Sequence, residues 1–364
     1  MKNIKIFKYT LNKNIINFYK FNICLYSDNI SSKYSKFNSI NISNKKSFMK
    51  KDNYTNENNL YNENDSVKIN SHFDYTKHSL LNHLYMFKYN SDNIGYIIHD
   101  KTTNTLIGID FGEFEISNKV VNNLEKKLNS KLNYLFTTHS HWDHAGGNKN
   151  WKEFKKDSLT IIVGDCGDKN KGDYIEYADK RFKDLETISI GDISIACMFT
   201  PGHLKSHVVY VVTHVDNSNN NINNNKTMTK IPLLFCGDTL FHGSVGKVFN
   251  GTYEELYESI QKIMYLHPDT LVFPGHEYTV NNLEFNLKLD PNNEFAKDKL
   301  EWAKNTIKDG NFTVGSRLIE EKLYNSFLRS GEEYFLNLTK EKKPFNSFVK
   351  LRHIKDELSK NNYI

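Results

Sequence analysis

Cysteine is scarce in this 364-residue chain: Cys24, Cys166, Cys197 and Cys236 are the whole complement, and no two form a C-x-x-C pair. That excludes a disulfide framework and predicts buried free thiols in a reducing compartment. No apolar run approaches the roughly 18 residues that a membrane span requires, so a soluble chain with no membrane partner is expected. Residues 1–60 lack arginine altogether and hold only three acids, Asp28, Asp52 and Glu57, against eleven lysines, a local charge of +8. The overall +5 therefore leaves the remaining residues at −3. An acidic remainder gives no electrostatic reason for a nucleic-acid partner.

What is present divides into three parts. Residues 1–75 read as a leader and disordered spacer. Met1 to Tyr26 is lysine-rich and acid-free, with no clean apolar stretch and no small-residue cleavage site, in the manner of organelle transit peptides. Import into an organelle is expected, a plastid of the apicoplast type ahead of a mitochondrion, with a cytoplasmic extension as the alternative. Residues 27–70 are Ser/Asn/Lys-rich and aperiodic, which fits an unfolded linker.

From 76 to 278 the pattern is α/β. Clusters of β-branched and aromatic residues between Asn, Asp and Gly punctuation mark strands in MFKYNSDNIGYIIHD, NTLIGIDFG, LNYLFTTHS, LTIIVGD, TISIGDISIACMFT, HVVYVVTHV and IPLLFCGD. Ser117 to Ser130 predicts a helix with Val120, Val121, Leu124 and Leu128 on one face. The polar tract at 216–230 interrupts a would-be hairpin and is expected to be an exposed, chemically idle loop. Strand signals stop after Tyr278, and residues 279–364 read as a small helical, substrate-binding domain.

Chemistry concentrates at predicted strand ends. His139-Ser140-His141-Trp142-Asp143-His144 follows the strand LNYLF and supplies imidazoles and a carboxylate, the ligands borderline divalent metals take. Thr200-Pro201-Gly202-His203, Phe235-Cys236-Gly237-Asp238 and Phe273-Pro274-Gly275-His276 each place a His or Asp directly after a glycine that ends another strand. One such turn means little; these three with the His139–His144 segment, four strand-end sites in one chain, point to a single site.

Together THSHWDH, TPGH, GDTLF and PGHEYT resemble the metallo-β-lactamase superfamily and, within it, the glyoxalase II (hydroxyacylglutathione hydrolase) family, from about residue 80 to the C-terminus. The resemblance implies an αββα sandwich with a C-terminal helical domain. It implies that His139, His141 and His203 hold one divalent metal, that Asp143, His144 and His276 hold the other, and that Asp238 bridges them. Zinc is expected, and iron or manganese suit the same ligands. Asp143 and Asp238 are then the catalytic carboxylates, and hydroxide shared by the two metals is the implied nucleophile toward 2-hydroxyacyl glutathione thioesters such as S-D-lactoylglutathione. By the same resemblance Lys247, Phe249, Tyr278 and Arg329 bind substrate.

Phe249 stands where a tyrosine is frequent and Glu332 where some members carry lysine, which predicts a weaker carboxylate clamp. Leu204 and Ser206 replace the usual Thr and Gly beside His203, while His207 reads as structural. The competing reading is a persulfide dioxygenase, a relative with one iron. A monomer acting on a small-molecule thioester is expected.

Overall fold

Layering follows from how single strands divide their apolar residues. In β2 (Leu84–Tyr89), Leu84 and Met86 join one buried cluster while Tyr85, Phe87 and Tyr89 join another. In β3 (Asn93–Asp100), Ile94, Tyr96 and Ile98 face the first cluster and Ile97 the second. A period of two with both faces apolar belongs to a sheet covered on both sides. The computed structural model describes residues 75–78, 81, 83–214 and 231–360. The leader reading, Cys24 and the 216–230 tract lie outside them.

The first sheet runs in chain order: β1 (Thr76–Lys77), β2, β3, β4 (Thr105–Ile109), β5 (Lys131–Phe136), β6 (Thr160–Gly164) and β7 (Lys180–Phe182). Pairing is antiparallel up to β4 and parallel from β4 to β7. The second sheet takes β8 (Thr187–Ile190), β9 (Ile193–Phe199), β10 (Val208–His214) and β11 (Leu233–Gly237) as an antiparallel run. A two-stranded ribbon, β12 (Leu240–Phe241) and β13 (Ser244–Val245), follows in the chain. Then β14 (Leu271–Pro274) pairs parallel to β11, and β15 (Ser316–Arg317) pairs with β14. Ile195, Cys197, Tyr210, Phe235 and Phe273 of this sheet meet the first sheet's Tyr96, Ile107 and Phe136 in the shared core.

Helices cover the outside. α1 (Phe114–Leu128) packs Val120, Val121 and Leu124 beneath the first sheet. It begins three residues before the expected Ser117 and stops where Asn129 turns left-handed at φ 51°, a helix-ending conformation that asparagine tolerates. α2 (Trp142–Ala145) is one turn carrying site residues, and α3 (Asn148–Lys155) buries Trp151 in the same outer core. α4 (Tyr253–Met264), which the strand reading passed over, opens with a reciprocal cap between Thr252 and Glu255 and buries Leu256, Ile260 and Ile263. After Tyr278 come α5 (Thr279–Leu289), α6 (Glu294–Lys308), α7 (Leu318–Tyr324), α8 (Glu333–Thr339) and α9 (Pro344–Lys360), broken only by the short β15. Cys197 and Cys236 are buried free thiols and Cys166 is half-buried. Among the described residues no helix is long and apolar enough to cross a membrane.

His78, just after β1, packs edge-on against Phe273 at 5.7 Å between ring centres. Burial lowers its pKa from 6.5 to about 4. A depressed histidine gives stability that is complete above pH 6.5 and drains away as pH falls toward 4, because the unfolded chain takes up the proton first. The loss reaches on the order of 3 kcal/mol. Denaturant midpoints of the wild type and of His78→Asn, whose amide oxygen still accepts the Leu81 N–H, should converge as pH falls from 7 to 4.

Candidate metal centre

Strand ends from both sheets deliver the site. The segment after β5 carries His139 and His141, and α2 adds Asp143 and His144. His203 lies in the β9–β10 connection, Asp238 directly follows β11, and His276 follows β14. The side chains gather as two clusters: His139, His141, His203 and Asp238 have ligand atoms within 4.8 Å of one another, and so do Asp143, His144 and His276.

In the first cluster His141 Nδ1 is 3.1 Å from His139 Nε2 and 3.0 Å from His203 Nε2. In the second, His276 Nε2 is 3.3 Å from both His144 Nε2 and Asp143 Oδ2. Asp238 reaches across. Its Oδ2 is 3.7 Å from His203 Nε2 and 3.5 Å from His276 Nε2, while Oδ1 is 3.4 Å from His144 Nε2. Oδ1 is buried with no hydrogen-bond donor. A Cβ on Gly275 would fall 2.7 Å from that oxygen and 2.6 Å from His144 Cε1, so only glycine leaves the space open. An orphaned buried carboxylate oxygen facing converging imidazole lone pairs fits a cation. These residues can hold metal.

Outer partners fix most of the rings. Asp92 takes His276 Nδ1 at 2.7 Å, Asp110 takes His144 Nδ1 at 3.0 Å, and the Lys247 carbonyl takes His203 Nδ1 at 2.7 Å. Thr138 Oγ1 lies 3.0 Å from His139 Nδ1, and Asn93 donates to Asp143 Oδ2 at 2.9 Å. Such contacts set the tautomer and the ring plane. His207 accepts the Asp238 N–H at 3.0 Å and stacks on His139 at 4.6 Å. Asp173 binds the hydroxyls of Ser140 and Ser206, so the Ser206 departure adds a tie between the two histidine loops. Sequence reading missed Asp92, Asn93, Asp110 and Asp173. Asp110 alone carried a signal, as the polar residue ending the apolar run LIGI of β4.

Burial, then the imidazoles of His144 and His207, hold His139 well below the ordinary histidine range. Burial also lowers His141 and takes His203 down to about 4. His144 and His276 go the other way: burial opposes the charge, but Asp238 and Asp110 lift His144 to about 10, and Asp238, Asp143 and Asp92 lift His276 to about 11. Burial would raise Asp143 and Asp238, yet these imidazoles keep both carboxyls well below the usual carboxylate range.

The substrate-side candidates separate. Phe249 is 58% exposed and stands edge-on to His141 and His203 at 5.1 Å from each. Lys247 is exposed, its ammonium 5.4 Å from the Phe249 ring. Half-buried Tyr278 stacks on His276 at 4.7 Å. Arg329 lies in the helical domain. It is 4% exposed and bonds Asp290 and Glu332 at 2.9 Å each, so its guanidinium is already engaged. Glu332, noted in the sequence as a departure, is one of those partners.

A two-sheet α/β sandwich with His and Asp at its strand ends defines a metallo-β-lactamase-fold protein. Residues 96–218 match the metallo-beta-lactamase superfamily and residues 277–358 the hydroxyacylglutathione hydrolase C-terminus. The chain is 35% identical over 244 residues to a hydroxyacylglutathione hydrolase of Dictyostelium discoideum, covering 66% of this chain and 83% of the relative. It is 35% identical over 270 residues to the cytoplasmic hydroxyacylglutathione hydrolase of Arabidopsis thaliana, covering 73% and 95%. A metallo-beta-lactamase structure from Staphylococcus aureus shares the fold, with a TM-score of 0.50 and 19% identity over 74% of this chain and 71% of that one. This chain belongs to the hydroxyacylglutathione hydrolase family.

A divalent cation competes with the His144 and His276 protons for the same lone pairs. Because those two pKa values are raised, zinc uptake at pH 7 should release about two protons, and apparent affinity should climb as pH rises. Calorimetry in buffers of different ionisation enthalpy reads the number. Asp110→Asn should weaken zinc binding by roughly 10–100-fold, measured by competition with a chromophoric chelator.

Proposed function

We propose that the chain hydrolyses S-D-lactoylglutathione and related 2-hydroxyacyl glutathione thioesters to glutathione and a hydroxy acid, using two divalent metals with zinc first in preference. The observation that carries this reading is Asp238, which lies within 3.4–3.7 Å of histidines from both clusters. His139, His141 and His203 would hold one ion, Asp143, His144 and His276 the second, and Asp238 both. Bound there, the metals acidify water and polarise the thioester carbonyl.

The chain's own groups do the rest. Asp143 and Asp238 keep negative charge on the cluster, since neighbouring imidazoles hold them ionised. Phe249, edge-on to His141, and Tyr278, stacked on His276, flank the clusters and give a thioester two apolar walls. Lys247, exposed beside Phe249, supplies the cation for a glutathione carboxylate. A thiolate leaves readily, its conjugate acid having a pKa near 8.5, so no side chain has to protonate it. Arg329 we assign to tethering α8 and the end of α5 through its ion pairs, its remaining N–H groups serving a glutathione carboxylate. The leader would direct the enzyme to an organelle, a plastid of the apicoplast type first.

Metal-loaded protein should release thiol from S-D-lactoylglutathione, followed with a thiol-reactive dye, and carry two metal equivalents by elemental analysis. Asp238→Ala should cost more than the roughly 100-fold of an outer-partner change. Lys247→Ala should raise KM by roughly tenfold, the scale of one charge-assisted hydrogen bond, with kcat little altered. Arg329→Ala should both raise KM and lower stability by about 3 kcal/mol, the latter read from denaturant midpoints. One iron per chain, with oxygen uptake on glutathione persulfide and no thiol release, would overturn the assignment.

A further inference from the structure

The β12–β13 ribbon has two residues per strand, far too little to hold its own shape. Side chains from the C-terminal helices hold it instead. Glu321 of α7, fully buried, accepts from His242 Nδ1 at 2.7 Å and from the Gly243 N–H at 2.9 Å. Asn282 and Asn286 of α5 donate to the carbonyls of His242 and Gly243 at 2.9 and 2.6 Å. Asn325 donates to the Ser244 carbonyl at 3.2 Å, Arg352 of α9 to the Val245 carbonyl at 2.9 Å, and Lys355 to the Ser244 hydroxyl at 2.7 Å. A buried polar network is costly where a member is left unpaired, as His242 Nε2 and Arg352 Nε are. An apolar face would dock the helices just as firmly, but only directional bonds fix where each backbone group of the turn sits.

What the ribbon fixes is visible at its two ends. It leaves Asp238 and Thr239 and returns at Gly246, whose N–H donates to the Thr239 carbonyl at 3.1 Å. Immediately beyond, the Lys247 carbonyl accepts from His203 Nδ1 at 2.7 Å and the Phe249 N–H donates to the His203 carbonyl at 3.0 Å. The height of Lys247 and Phe249 over the histidines is therefore set from the helical side.

We propose that Glu321 is a positioning residue for the substrate segment Gly246–Phe249, acting through His242 and the ribbon, with Lys355 as its second support. The inference rests on the glutathione-thioester reading of the site, and S-methylglutathione, a thioether that cannot be hydrolysed, lets it be tested apart from turnover. In the full chain, Glu321→Gln keeps the side chain's shape but turns a donor toward two donors. It should weaken S-methylglutathione binding by about fivefold, the scale of one lost hydrogen bond, as measured by calorimetry. KM for S-D-lactoylglutathione should rise by the same factor with kcat within about twofold. Lys355→Met should repeat the pattern and carries the test if Glu321→Gln does not fold. A variant with a lower melting temperature but wild-type Kd and KM would overturn the proposal, since the network would then be structural alone. So would a loss of kcat with Kd and KM at wild-type values, which would place the effect on the metal-site histidines. Wild-type protein that binds the thioether but releases no thiol would sink the hydrolase reading while the Kd comparison still decides this one.

Discussion

Around Asp238 two demands collide: the carboxylate must stay ionised, and it must stay dry. Removing an isolated charge from water costs several kcal/mol unless compensating charge stands close by. Here the compensation is imidazole from both sheets, with His144 at 3.4 Å and His276 at 3.5 Å. Histidines packed this tightly repel one another once protonated, so the cluster is stable only while cations, bound protons and carboxylates balance. Much of the surrounding structure answers that requirement. Asp110 and Asp92 lie behind the rings of the second cluster, while the first cluster is closed by the neutral partners Thr138 and the Lys247 carbonyl.

The sandwich is a sound frame for such a site because its two sheets converge. β5 and β11 belong to different sheets, yet both end at the same cluster with their cores already sealed by Tyr96, Phe136, Phe235 and Phe273. Close packing transmits position, and a ligand at a strand end inherits the rigidity of that core. Tyr96 shows the link directly: its hydroxyl donates to the Pro274 carbonyl at 2.6 Å, two residues before His276. The ribbon and C-terminal helices then do for the substrate segment what the sheets do for the ligands.

The two His/Asp clusters were legible in the sequence because their signals are local. His139 to His144 fall within six residues, and His203, Asp238 and His276 each follow a glycine at a strand end. The strands that carry them were equally readable from apolar runs. Residues that act by reaching across the fold left no comparable mark. Asp173 lies in an irregular stretch, and only the tertiary structure brings it to Ser140 and Ser206. Arg329 was placed by its matching segment, but its engagement with Asp290, 39 positions earlier, could not be seen there. The α4 helix has only a four-residue local cue, the Thr252 to Glu255 cap, beside strands marked by whole apolar runs.

Strands β10 and β11 pair directly, Tyr210 opposite Phe235 and Val212 opposite Leu233. β10 departs from the histidines and β11 comes back toward them, so the chain between His214 and Leu233 is attached at the far end of the sheet. A seven-residue strand spans roughly 20 Å, which separates that junction from the reacting groups by most of the sheet's length. A change in the number of residues joining the two strands would reach the histidines only through that length of paired sheet.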